Sequence, residues 1–352
     1  MKNLKSRQSG KVISMPEKTS RRQFMTTAAV TTAALAEQVL AQTSSASATG
    51  VPTRVLGRTG QRVSIVCLGG WHIGSLKDDN EAIRIMHAAM DEGINFFDNA
   101  WDYHDGHSEE VMGKALAMDG RRNKIFLMTK NCERDYAGSM KDLEDSLRRL
   151  KTDHLDLWQF HEMVYDNDPD WVFEKGGIKA ALEAQKAGKV RFIGFTGHKD
   201  PRIHLKMLAK PYAWDTAQMP INLMDAHYRS FQKEVAPVCL KKNVGVIGMK
   251  GLAGGATEGR IPTKVGVTVD ECYRFCLSLP VTAQVMGITS MDQLKQDIQL
   301  ARNFKPMAAS EKAALVARVK DQAGDGRHEL FKSTKFYDGP HHRKQHDFDL
   351  SV

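Results

Sequence analysis

Phe96-Phe97-Asp98-Asn99-Ala100-Trp101-Asp102-Tyr103 sets an acid and a phenol directly behind a short apolar run that opens at Ile94. The arrangement recurs twice downstream. Ile125-Phe126-Leu127-Met128-Thr129 leads into Lys130, and Leu155-Asp156-Leu157-Trp158-Gln159-Phe160 leads into His161. Short apolar runs separated by amphipathic segments are the pattern of buried parallel strands. Polar residues at the C-terminal ends of several successive strands mark a parallel β/α barrel, whose chemistry sits at that face. An ammonium beside a phenol favours phenolate and lowers a pKa that is otherwise near 10, so this set can deliver a proton to a carbonyl.

Outward from these runs the alternation continues for eight rounds. Residues 54–56, 57–60 and 63–66 read as a β-hairpin leading into a first strand that reaches Leu68. Further strands are expected at 94–97, 125–129, 155–160, 191–194, 216–219, 244–248 and 283–286. Helix spacing is clearest at 78–92, where Ile83, Met86, Ala89 and Met90 share a face and Gly93 follows, and at 136–150, with Leu143, Leu147 and Leu150. A loop is expected at 165–171. One more helix is expected at 310–322, then a polar irregular end. An open doubly wound sheet also alternates in this way, but Gly69-Gly70-Trp71-His72-Ile73-Gly74 lacks the G-x-G-x-x-G spacing such sheets use for dinucleotides. The expectation is a (β/α)8 TIM barrel over residues 51–352, with an N-terminal β-hairpin and a C-terminal extra helix.

The ordered set Asp98, Tyr103, Lys130 and His161, with Asp98 and Tyr103 in an Asp-x-Ala-x-x-Tyr spacing, resembles the catalytic tetrad of the aldo-keto reductases. The resemblance covers roughly residues 53–300. It implies NAD(P)H-dependent reduction of an aldehyde or ketone. Tyr103 would be the general acid, Lys130 its neighbouring cation, Asp98 the partner of Lys130, and His161 the group orienting the carbonyl. It further implies cofactor contacts. Thr196 and Gln218 would meet the nicotinamide carboxamide, and Met249 would stand where many members stack a tyrosine. Lys250, Gly251, Leu252 and Gly254 would form the loop over the pyrophosphate. Gly287, Thr289, Ser290, Gln293 and Asp297 would lie at the adenosine end. NADP(H) is the family's usual cofactor, yet Gly287 and Gln293 replace the cations that grip its 2′-phosphate, so NAD(H) stays open. Trp71 and Trp101 would line the substrate pocket. A rival reading keeps the barrel and cofactor pocket in a regulatory partner subunit, like the channel-associated members. Another is a different barrel enzyme with coincidental spacing.

Composition fits this outline. Apolar and charged residues make up 41% and 26% of the 352-residue chain, the fractions of an ordinary globular protein. The net charge of +8 is concentrated in residues 1–41, which carry seven Lys/Arg and two Glu. The remainder has no nucleic-acid footprint. Thr19-Ser20-Arg21-Arg22-Gln23-Phe24-Met25, a weakly apolar Ala/Thr segment and a Ser/Ala-rich stretch resemble a twin-arginine export signal within residues 1–50. That implies the twin-arginine translocation machinery as a partner and a periplasmic or otherwise exported location. The segment is too short and too polar for a stable membrane span. Cys67, Cys132, Cys239, Cys272 and Cys276 lack paired spacing and read as small buried thiols. His104, His107, His341, His342 and His346 lack ligand spacing, so no metal is expected.

Overall fold

The computed structural model describes residues 50–253 and 261–350. The twin-arginine segment and Gly254 lie outside them. β1 (Thr53–Val55) and β2 (Arg62–Ser64) pair antiparallel, with Thr53 opposite Ser64. Eight strands then close a barrel of parallel pairs: β3 (Val66–Gly69), β4 (Phe96–Asp98), β5 (Phe126–Asn131), β6 (Leu155–Phe160), β7 (Val190–Thr196), β8 (Thr216–Pro220), β9 (Gly245–Met249) and β10 (Ala283–Met286). β10 pairs with both β3 and β9, which completes the ring. The expected (β/α)8 barrel and N-terminal hairpin are therefore present.

Side-chain alternation along the strands explains the shape. Cys67, Phe96, Phe126, Met128, Leu157, Ile247 and Ala283 form one buried cluster with the hairpin residues Leu56 and Val63. Phe97, Leu127, Trp158 and Phe160 belong to the larger cluster beneath the helices. Because strand side chains alternate faces, Phe96 and Asp98 share one side. So do Phe126, Met128 and Lys130, and so do Leu157 and Gln159. The period that fills the barrel interior with hydrocarbon thus sends the polar strand-end residues to its mouth.

The hairpin is held to the barrel by Arg54. Its guanidinium is buried, donates to Val281 O (2.7 Å) and Leu277 O (2.9 Å), and lies over the Phe304 ring. Burial pulls its pKa down to about 10. At the hairpin turn Gly57 has φ +49°, and a Cβ there would stand 2.2 Å from Gly245 N, so only glycine lets the turn press against β9.

Two sequence expectations change. The loop expected at 165–171 holds the start of a helix, Asp168–Glu174, with Pro169 in its first turn, where proline is well tolerated. The C-terminal end is not irregular. After the extra helix Ala309–Ala323 the chain folds into the short helices Leu330–Ser333 and Pro340–Gln345, and Lys332, Asp338 and His342 are buried. Polar residues hid this return because they are buried in pairs: Lys332 with Asp225 and Glu329, Asp338 with Lys199. No helix among the described residues is long and apolar enough to cross a membrane.

Candidate active site

Asp98 ends β4, Lys130 is the penultimate residue of β5, and His161 follows β6. Parallel pairing brings these ends together: Asp98 registers with Met128, Lys130 with Gln159, and His161 N donates to Asn131 O at 2.8 Å. Tyr103 is delivered by a tight turn in which His104 and Asp105 have φ +52° and +56°. His104 Nε2 meets Trp71 O at 2.7 Å and steadies that turn.

Lys130 is 1% exposed and all three of its protons have acceptors: Asp98 Oδ1 at 2.5 Å, Asn99 O at 2.6 Å and Tyr103 Oη at 3.1 Å. An ammonium has three donors and no acceptor, so the phenol oxygen receives from Lys130 and its own proton points elsewhere. The ammonium also lies 4.6 Å from the Tyr103 ring centroid, and the His161 ring is 5.6 Å from that of Tyr103. Burial raises the Asp98 pKa against the opposing pull of Lys130. Burial likewise drives the Tyr103 phenol well above its usual value, and Asp98, Asp102 and Glu162 push it the same way. This differs from the lowering expected from Lys130 alone, because burial of the phenol comes first and several carboxylates add to it against one ammonium. The phenol therefore stays protonated at neutral pH.

The positions assigned to cofactor lie on the other half of the same rim. Thr196 ends β7, Gln218 pairs with it in register on β8, and Met249 ends β9. Gln218 Oε1 accepts from Gln159 Nε2 at 3.0 Å, and its amide NH2 faces Met249 Sδ at 3.8 Å. Lys250 (φ +56°) opens a tight turn with Gly251 and Leu252; a Cβ on Gly251 would meet Gln284 and Tyr273 at 2.9 Å. Gly287 follows β10, and Ser290 caps the helix Met291–Arg302. These residues fit a nicotinamide dinucleotide: side-chain amide and hydroxyl groups for a carboxamide, a small-residue turn, then a helix N-terminus. Among the positions expected at the adenosine end, Gln293 folds back, its Oε1 accepting from Thr289 N (2.8 Å) and Oγ1 (3.0 Å), and Asp297 is buried. None of these five positions carries a cation.

Of the two indoles, Trp71 stands edge-on to Tyr103 at 5.3 Å and is half exposed. Trp101 packs against Lys141, Arg149 and His341, and its Nε1 donates to Asp145. Of the two, Trp71 is the one packed against the Tyr103 ring. His198 is committed to the tail, with Nδ1 2.9 Å from Phe331 O.

Sequence reasoning gave no role to Asp102 or Glu162, and set Cys132 aside as a buried thiol and His342 as a histidine without ligand spacing. Asp102 Oδ1 lies 3.1 Å from His161 Nδ1, and Cys132 Sγ lies 3.5 Å from the same nitrogen. Burial would raise the Asp102 pKa, but the imidazoles of His161 and His342 outweigh it and hold it at about 2. Asp102, Cys132 and Glu162 each lie within two positions of a tetrad residue, a signal available in the sequence. His342 had none.

A family model for the aldo/keto reductase family matches residues 65–268. An oxidoreductase named YrpG from Bacillus subtilis is 34% identical over 229 residues, covering 58% of this chain and 68% of its own. Aldo-keto reductase AFTS1 from Alternaria alternata is 30% identical over 241 residues, covering 57% and 64%. L-galactose dehydrogenase from Arabidopsis thaliana is 31% identical over 224 residues, covering 59% and 67%. Among solved structures, the aldo-keto reductase AKR11C1 from Bacillus halodurans in its holo form superposes with a TM-score of 0.63 at 26% identity, covering 76% of this chain and 95% of its own. With the closed barrel, the Asp98–Lys130–Tyr103 cluster and the family match over most of the barrel, the chain belongs to the aldo/keto reductase family.

Proposed function

We propose that the protein reduces the carbonyl of a small aldehyde or ketone to an alcohol using NAD(P)H, with Tyr103 as general acid. The observation that carries this reading is that every N–H of the Lys130 ammonium already has an acceptor. Its protons go to Asp98, Asn99 and Tyr103, which leaves the phenol O–H directed outward as a donor. A bound nicotinamide supplies the hydride. Tyr103 gives its proton to the oxygen as charge develops there, and a high phenol pKa is no obstacle because an alkoxide is the stronger base. His161 orients the carbonyl, and Trp71 supplies a flat apolar wall suited to stacking on a sugar-sized substrate. In the reverse direction Tyr103 takes the proton back.

The test is Tyr103→Phe, assayed with NADH and NADPH against a panel of aldehydes, ketones and aldoses. Turnover is expected to fall by roughly 10²–10⁴-fold while nucleotide affinity stays the same. A variant as active as the parent rules out Tyr103 as the acid. A parent that binds nucleotide without turning over any carbonyl supports the regulatory-subunit reading instead.

We also infer that the twin-arginine leader exports the folded enzyme with its cofactor already bound. Mass spectrometry of the molecule released on denaturing the exported form is expected to find a nicotinamide dinucleotide, and an empty exported protein contradicts retention.

A further inference from the structure

We propose that Asp102, Cys132, His161 and His342 form a binding site for a divalent transition metal of the zinc class, placed between the tetrad imidazole and the returning C-terminal tail. The four come from the segments after β4, β5 and β6 and from the helix Pro340–Gln345. Their ligand atoms all lie within 4.8 Å of one another. Two of the distances are shorter: His161 Nδ1 is 3.1 Å from Asp102 Oδ1 and 3.5 Å from Cys132 Sγ. Zinc bonds of about 2.0–2.3 Å in a tetrahedron set donor atoms roughly 3.3–3.8 Å apart, so the widest pair needs to close by only about 1 Å.

Unsatisfied polar atoms point to the same place. Asp102 Oδ1 and the ring nitrogen Nε2 of His342 are buried and lack a hydrogen-bond partner. The close approach of Asp102 to His161 is thus out of hydrogen-bond alignment, and buried polar groups without partners are uncommon. His342 is fully buried. Its other nitrogen, Nδ1, has only a long 3.4 Å contact to Arg134, which gives way when an ion on Nε2 moves the ring proton to Nδ1. Arg134 has further acceptors in Cys132 O, His161 O and Glu162 O.

Charge balance agrees. The cations around the cluster are already paired: Lys130 with Asp98, Arg134 with Asp168, and Lys199 with Asp338. Asp102 and Glu162 face imidazoles instead, those of His161, His198 and His342. A divalent ion supplies the missing positive charge.

The donor set selects the metal. One thiolate, two imidazoles and one carboxylate suit zinc, and four protein ligands make a closed site rather than one with an open position for substrate. Binding releases the Cys132 thiol proton to solvent. It also has a consequence for His161. A metal on Nδ1 fixes the ring proton on Nε2 and locks the ring orientation, as ligation does for other histidines. This departs from the sequence expectation of no metal, which rested on spacing and could not anticipate the approach of His342.

Cobalt titration tests the proposal on the full chain after chelator treatment, with neither nucleotide nor carbonyl present. The outcome is therefore independent of the reductase reading. A thiolate-to-cobalt charge-transfer band is expected to saturate at one ion per chain and to disappear when Zn2+ is added. Cys132→Ser is expected to abolish the band, and His342→Gln to weaken Zn2+ binding by at least about 10-fold, the lower bound for losing even a group that only supports a ligand, both with an unchanged far-UV circular dichroism spectrum as a check on folding. Absence of the band in the parent at saturating Co2+ overturns the proposal without recourse to any variant. So does a band that survives Cys132→Ser, or His342→Gln binding Zn2+ as tightly as the parent.

Discussion

Lys332→Met tests how the returning tail is fixed to the barrel. The Lys332 ammonium is fully buried and donates to Asp225 Oδ1 at 2.7 Å, Glu329 Oε1 at 2.9 Å and Tyr228 O at 2.9 Å. Methionine keeps the hydrocarbon length and removes the charge, leaving two buried carboxylates. Breaking a buried ion pair costs about 3–5 kcal/mol because the partner is stranded. Two features place this case at the lower end. Asp225 retains the amides of Phe231 and Gln232, both at 2.9 Å. Burial already lifts the Glu329 pKa even with Lys332 present, so removing the ammonium favours uptake of a proton by Glu329 over an orphaned anion. The expected loss is about 3 kcal/mol, read as a lower urea midpoint with an unchanged slope. The tail of the variant is also expected to be cut earlier by trypsin than that of the parent. A loss below about 1 kcal/mol, the size of an exposed ion pair, would refute the view that this buried cluster pins the tail.

Two further outcomes follow from other parts of the molecule. Burial holds the His204 imidazole neutral and lowers its pKa from 6.5 to about 4, so the unfolded chain protonates first, and the stability this neutral ring contributes above pH 6.5 is lost as pH falls toward 4, by about 3 kcal/mol over the window. Urea midpoints of parent and His204→Asn at several pH values should converge on acidification, and parallel curves would sink the idea. Gln293→Arg replaces a side chain closed onto Thr289 with a guanidinium at the end proposed for adenosine; a charge-assisted hydrogen bond to phosphate is worth about 1.5–3 kcal/mol. NADPH affinity is therefore expected to rise roughly 10–100-fold relative to NADH, and an unchanged ratio would mean that Gln293 is not near the 2′ position.

Most of the barrel was legible because a strand buried on both faces must be written in apolar residues. The runs at 155–160 and 283–286 coincide with β6 and β10, and the others differ at their ends. The extensions at the C-terminal ends share a cause. β5 runs on through Lys130 and Asn131, and β7 through Phe195 and Thr196, because neighbouring strands supply ladder partners that composition does not reveal. Asp98, Tyr103, Lys130 and His161 were readable as a set because each stands at or just beyond a strand end. Trp101 was harder. Its indole resembles that of Trp71 in sequence, yet Lys141, Arg149 and His341 claim it.

By itself the sequence determined the strand count, the parity that sends Asp98 and Lys130 to the barrel mouth, and the order of the tetrad, since local periodicity records which side chains must leave water. The tertiary structure decided what surrounds that tetrad. Arg134 and His342 stand 208 positions apart and meet behind His161, and Asp102, Glu162 and Cys132 converge there from separate loops. Such contacts are made by polar side chains buried in pairs, and a buried pair leaves no periodic trace in either of the segments it joins.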